Sequence, residues 1–339
     1  MAGSRLSRPV TVGCGVLQLL AVSTACGDGG EATVPFGPPT LLSAVDLGER
    51  AFGVAVGEGA VWVTGPTGVW RFDPGSNQVT ATVPVDGGAS SVATGEGAVW
   101  VTGPGGLTRL DPARPGPTGT VPLGDPQDLV VANGSVWVAD LADGGVLRRV
   151  NARSLRIEAS LKVPGLPGDT LDLSEEPRHV AAGEGGVWVA DRRNGTASRL
   201  DPGKGSFNLT MSRLGLEMSD LALGKGSLWI VNPTGLAHAR PGDRSAVAVP
   251  VTPEPVAVAV GRWAVWVVGS GEEGLSIVDP EQRRETLVGS PEESPIDVAI
   301  GFDSVWVLGR DGLLSRYTET GPTPSTAPKY INWGAVLPA

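Results

Sequence analysis

Hydrophobic and polar positions recur along this chain in a fixed frame. FGVAV (52–56) alternates as a strand, Gly57-Glu58-Gly59 turns it, and AVWVT (60–64) forms a second strand. GPTG turns the chain again, VWRFD (69–73) is a third strand, and QVTATVPV (78–85) follows Pro74-Gly75-Ser76-Asn77 as a fourth. Alternating apolar positions bounded by Gly, Pro and Asn are the signature of half-buried strands joined by tight turns. The pattern therefore predicts a four-stranded antiparallel meander. Aligned on an apolar-Trp-apolar core, the unit recurs at Trp62, Trp100, Trp137, Trp188, Trp229, Trp266 and Trp306, spaced 38, 37, 51, 41, 37 and 40 residues apart. A unit of this size cannot bury both of its faces alone, whereas copies stacked radially bury each face against a neighbour. The expected fold is all-β: a seven-bladed β-propeller of four-stranded antiparallel blades. The seventh unit ends after its third strand (GLLSRYT, 312–318), and LLSAVDL (41–47) precedes the first unit without a partner, so an N-terminal strand is expected to close the ring.

The recurring VAxGxGxVWV followed by VxRxDP resembles the streptogramin-lyase-like and YVTN-type seven-bladed propellers of bacteria. It is clearest at Val92–Val101 with Arg109-Leu110-Asp111-Pro112 and at Val180–Val189 with Arg199-Leu200-Asp201-Pro202. The resemblance covers residues 41–318. It implies a propeller whose channel mouth carries the function, and for the lyases a metal-assisted His with an acid at that mouth. This chain has two His and no matching pair of them. The fold is shared by enzymes, binding modules and sensors, so the site has to decide the function.

Composition sharpens the picture at two points. Gly (50) and Pro (29) supply turns, and with charged residues at 18% the chain is poor in helix formers. A net charge of −10 opposes binding to nucleic acid, which requires a basic surface. Residues 1–25 carry Arg5 and Arg8 and then an uncharged, mostly apolar run from Pro9 to Ala25, which reads as a secretion signal. The run ends Val22-Ser23-Thr24-Ala25-Cys26 and resembles a bacterial lipobox, which implies lipidation at Cys26 and an anchor on the outer side of the cytoplasmic membrane. The alternative is ordinary cleavage near Ala25. With Cys26 lipidated, no thiol remains for a disulfide or a Cys metal site. Residues 26–40 read as a flexible tether and 319–339 as a Pro-rich tail.

Candidate chemistry lies at the channel mouth. Neither G-x-S-x-G nor H-E-x-x-H nor C-x-x-C occurs, and the repeated Gly-x-Gly leads into strands as a hairpin turn. Nine residues before each Trp, at the start of the innermost strand, stand Gly53, Ser91, Asp128, His179, Asp220, Ala257 and Asp297. Three residues after each Trp stand Gly65, Gly103, Asp140, Asp191, Asn232, Gly269 and Gly309. Polar residues coincide on blades three to five: Asp128 with Asp140, His179 with Asp191, Asp220 with Asn232. The long spacing falls there too, inserting an acidic stretch at 164–178 with Asp169, Asp172, Glu175 and Glu176.

Such a cluster suits a divalent cation, Ca²⁺ or Mg²⁺, held by Asp128, Asp220 and Asp297, or a polyol or cationic ligand. Arg192, Arg193 and Arg310 are placed to hold an anion on the same face. The competing expectation is that the Asp residues serve turns and strand edges. His238, on a third strand, reads as structural. The sequence thus points first to a non-catalytic binding or scaffolding module for an envelope protein, polymer or small solute. The second reading is a metal-dependent lyase or lactonase with His179 as general acid/base.

Overall fold

The computed structural model describes residues 37–321 apart from 165–176, 184–185, 216, 241, 252–253, 271–273 and 291–293. Cys26, the signal and most of the tether, the acids of the 164–178 insertion, and the tail from 322 onward lie outside the described residues.

Seven four-stranded antiparallel sheets follow one another along the chain. In the first blade the strands are Gly53–Gly57, Ala60–Gly65, Gly68–Asp73 and Gln78–Pro84, in spatial order from the inside out. The inner strands of the other six are Val92–Gly95, Pro126–Ala132, Pro177–Gly183, Asp220–Gly224, Pro255–Val260 and Pro295–Gly301. The outer strand of blade seven is Leu41–Asp46, antiparallel to Leu313–Thr318, with Leu41 opposite Tyr317 and Asp46 opposite Leu313. Among the described residues no helix is long and apolar enough to cross a membrane.

The core is seven wedges, one in each gap between blades. The Trp of one blade inserts among the apolar residues of the next: Trp62 among Val92, Val99 and Val101, and Trp306, across the closure, among Val54, Val61 and Val63. All seven of these Trp are fully buried. The VxRxDP half of the repeat supports them. Its Arg sits opposite the Trp across the second and third strands and lies over the indole, at 5.8 Å for Arg71 on Trp62, 5.8 Å for Arg109 on Trp100 and 5.1 Å for Arg316 on Trp306. In blade five His238 takes that place, with ring centroids 4.6 Å apart on Trp229 and Nε2 2.8 Å from Ser227 Oγ, so its role is structural. The Asp of the motif accepts backbone N–H groups two and three residues on, as Asp111 does from Ala113 and Arg114.

One end of the channel is closed by interlocking. The residue five before each Trp is Gly in six blades, and the side chain six before the next Trp fills the space of its missing Cβ. A Cβ on Gly224 would stand 2.5 Å from Val260 Cγ1, and one on Gly301 would likewise run into Val56. The other end is left open.

Candidate functional site at the channel mouth

At that open end lies a cavity of about 650 Å³. Gly53, Ser91, Asp128, His179, Asp220, Ala257 and Asp297, the seven residues nine before each Trp, all line it. So do the seven residues one place earlier, Phe52, Ser90, Gln127, Arg178, Ser219, Val256 and Ile296. This second ring was missed in the sequence because its members share no chemical character. Its one signal is the repeat frame itself, in which a strand bulge at the channel mouth turns two successive side chains inward. The bulge is seen between Pro126 and Asp128, Pro177 and His179, Pro255 and Ala257, and Pro295 and Asp297.

The three ring aspartates make the same bonds. Asp128 Oδ1 accepts the N–H of Leu129 at 2.8 Å, and its Oδ2 accepts the N–H of Val180, on the next blade, at 3.0 Å. Asp220 takes Leu221 at 2.7 Å and Val258 at 2.8 Å, and Asp297 takes Val298 at 2.8 Å and, across the closure, Val54 at 2.7 Å. Each carboxylate therefore clips its blade to the following one, three to four, five to six and seven to one. Ser91 Oγ adds a bond from blade two by donating to Asp128 Oδ1 at 2.8 Å.

This arrangement gives the three carboxylates a structural role beside the expected cation site. Among the described residues no three His, Cys, Asp or Glu side chains come together as a group able to hold a metal ion. Asp128, Asp220 and Asp297 stand on alternate blades, and both oxygens of each are committed to N–H donors. The donor set does not fit Ca²⁺ or Mg²⁺, which need several oxygens converging on one point.

The second predicted ring is likewise not part of the mouth. Asp140 is fully buried, accepting Arg148 Nε at 2.7 Å and the N–H groups of Asp125 and Ala142 at 2.8 and 3.0 Å. Asp191 is buried and accepts the N–H of Asn194 at 3.0 Å. Asn232 donates to the Leu214 carbonyl at 2.8 Å and accepts from Thr234. These three hold the turns between second and third strands. One residue further along, Arg192 and Arg310 do line the cavity.

Protonation in the mouth is set by burial. It pushes Asp297 up to about 7, against the N–H groups of Val54 and Val298 and with help from the Asp128 charge. Asp220 is raised well above the ordinary carboxylate range by burial and by the charge of Asp297. The His179 imidazole is held below its usual value by burial, reinforced by Arg178 and Arg192 and opposed by Asp128, and is neutral at pH 7. Arg178 Nη1 donates to Gln127 Oε1 at 2.6 Å, and Arg192 is ion-paired with Glu217.

The whole frame compares well with solved propellers. Virginiamycin B lyase from Staphylococcus aureus superposes with a TM-score of 0.69 at 14% identity, over 81% of this chain and 98% of the lyase. The chain is a seven-bladed β-propeller similar in fold to that lyase. The Pan2 WD40 domain of Neurospora crassa matches with a TM-score of 0.67 at 11% identity, over 84% of this chain and 96% of that one. BamB from Moraxella catarrhalis matches at 0.61 and 9%, over 83% and 99%. No family model and no curated protein sequence matches the chain. At these identities the likeness extends to the fold, and the site has to be read from its own residues.

Proposed function

We propose that this chain is an exported, lipid-anchored, non-catalytic binding module that takes a polar ligand in the mouth of its propeller, offered as a solute, a polymer end or a partner protein of the cell envelope. One observation carries the binding reading. Two complete rings of inner-strand residues converge on one cavity, while the carboxylates there that would have to act as metal ligands or bases have both oxygens bonded to backbone N–H. The volume lies within the range of small-molecule sites. Export and anchoring rest on Arg5, Arg8, the apolar run to Ala25 and Cys26. The Cys26→Ala variant should move the chain from the membrane fraction to the soluble one; a chain that stays in the membrane fraction contradicts the anchor.

A second reading is a lyase or lactonase at the same mouth. Its support is the neutral His179 beside Asp128, a competent base at pH 7, with the Asp297 carboxyl poised near neutrality. A metal-dependent version requires Asp128, Asp220 and Asp297 to release their N–H partners. Recovery of a bound ligand by mass spectrometry separates the two readings. The binding reading expects it intact after prolonged incubation; consumption that is abolished in His179→Ala would establish the enzyme.

A further inference from the structure

The chain carries a net charge of −10, yet the cavity at the channel mouth collects three guanidinium groups, from Arg178, Arg192 and Arg310. Of these only Arg192 has an acid partner, Glu217; Arg310 has neither a hydrogen bond nor an ion pair from its side chain among the described residues. Arg178 is anchored through one nitrogen to Gln127, while its Nε is buried with no partner among the described residues. That nitrogen is enclosed, as is Nε of Arg71 and Arg109, so the side of the guanidinium left for a ligand is Nη2, which no described residue bonds. The opposing carboxylates do not serve it, since Asp128, Asp220 and Asp297 face backbone N–H groups. The rest of the wall is mixed: hydroxyl and amide groups on one part, the apolar Met218, Val256 and Ile296 on another, and Phe52, 40% accessible, with the Arg50 guanidinium 5.9 Å from its ring centroid.

On the binding reading above, we infer that the mouth recognises a uronic acid: a sugar ring whose single carboxylate is held by Arg178 and drawn in by Arg310, whose hydroxyls meet Ser90 and Ser91, and whose C–H face lies against Phe52. Each part of that ligand answers a part of the wall. A guanidinium binds a planar carboxylate through paired N–H donors. Hydroxyls satisfy a polar lining that a purely apolar guest would leave unpaired. The same chemistry is offered by a free sugar acid and by the end of an acidic polysaccharide.

The test is titration calorimetry on the full chain in mild detergent, with galacturonate, galactose, tetragalacturonate and inorganic phosphate as probes. The expected result is saturable binding of galacturonate, with galactose about tenfold to a hundredfold weaker, the range of one charge-assisted hydrogen-bond pair. In Arg178→Gln that preference should collapse with the propeller still folded, and in Arg310→Ala galacturonate binding should weaken and lose much of its salt dependence. Tighter binding of tetragalacturonate assigns the source to a polymer end, and equal binding to a free solute. Galactose bound as tightly as galacturonate, phosphate bound equally well, or no binding of either sugar overturns the inference. Binding followed by consumption of the acid, lost in His179→Ala, would instead overturn the non-catalytic reading and leave the acid preference standing.

Discussion

Blades three to five place polar residues at both ends of a short stretch around the Trp, and the two sets have opposite fates. Asp128 and Asp220 begin an inner strand and face the open mouth, joined there by Asp297. Asp140, Asp191 and Asn232 end the second strand, at the same face of the ring, and are buried inside their own blades. Both sets bond to backbone N–H groups. The difference is what those bonds join: the first set links the inner strands of successive blades around a cavity, and the second ties the turn after the second strand and, through Asp125 and Leu214, the loop that enters the blade. Polar residues on one face of a propeller are thus not one site, and the strand they stand on decides whether a ligand can reach them.

The largest expected effect falls on the buried set. Asp140→Ala strands the N–H groups of Asp125 and Ala142, at roughly 1–3 kcal/mol for each, and removes one acid partner of the half-buried Arg148, which keeps Asp143 and Ser160. Chemical denaturation should show that loss, and ligand affinity of the remaining folded protein should be unchanged. A mild loss, or a loss of binding without a loss of stability, would break the distinction between the sets. Asp128→Ala comes next. It strands the N–H groups of Leu129 and Val180, at roughly 1–3 kcal/mol for each buried donor left unsatisfied, and opens the contact between blades three and four. Hydrogen exchange should therefore accelerate at Val180, on the neighbouring blade, with Val54 and Val258 unaffected.

Asp297 from the first set and Asp140 from the second should also titrate with opposite sign. Burial raises the carboxyl of Asp297 to about 7 in the folded chain, so the folded state binds more protons than the unfolded one between about pH 4 and 7. Its contribution is complete below pH 4 and is lost as pH rises through 7. Asp140 is the reverse. Burial alone would push it up, but Arg148 and the N–H groups of Asp125 and Ala142 outweigh that and hold it below 3.8, so its contribution is present above about pH 4 and is lost on acidification below it. Thermal melts from pH 5 to 8 should show the native chain losing stability relative to Asp297→Asn as pH rises. Equal slopes for the two would contradict the raised carboxyl. The smallest effect on stability is at Arg310, exposed and unpaired among the described residues, where Arg310→Ala should stay within about 0.5 kcal/mol of the native chain while acid binding weakens.

The fold was legible because the repeat is a statement about packing. A Trp fills the gap between blades once per blade, and in most blades an Arg covers it or an Asp caps the following turn, so their spacing reveals the blades directly. The inner ring was legible by the same frame, and all seven residues nine before the Trp do line the cavity. Two things were not. The fate of Asp140, Asp191 and Asn232 depends on the direction of a side chain at a strand end, which spacing leaves open. The second lining ring, with Arg178 in it, depends on the bulge that turns Gln127 and Asp128, or Arg178 and His179, to the same side, against the alternation a regular strand would impose. A cation site was a fair reading of three carboxylates on a ring. The structure adds that their oxygens accept backbone N–H groups of the next blade, which no sequence pattern displays.

That last point is the centre of the account, and thermal unfolding of the full chain tests it most directly. Melts with chelator and then with Ca²⁺, Mg²⁺ or Mn²⁺ would be run on the native chain and on the triple variant Asp128→Ala, Asp220→Ala, Asp297→Ala. If the carboxylates are clips between blades, the melting temperature of the native chain is the same in every condition, and the triple variant is destabilised equally in all of them. A rise with one of the ions that the triple variant loses would show that the aspartates bind metal, since only binding to the folded state raises its stability, and would contradict the account.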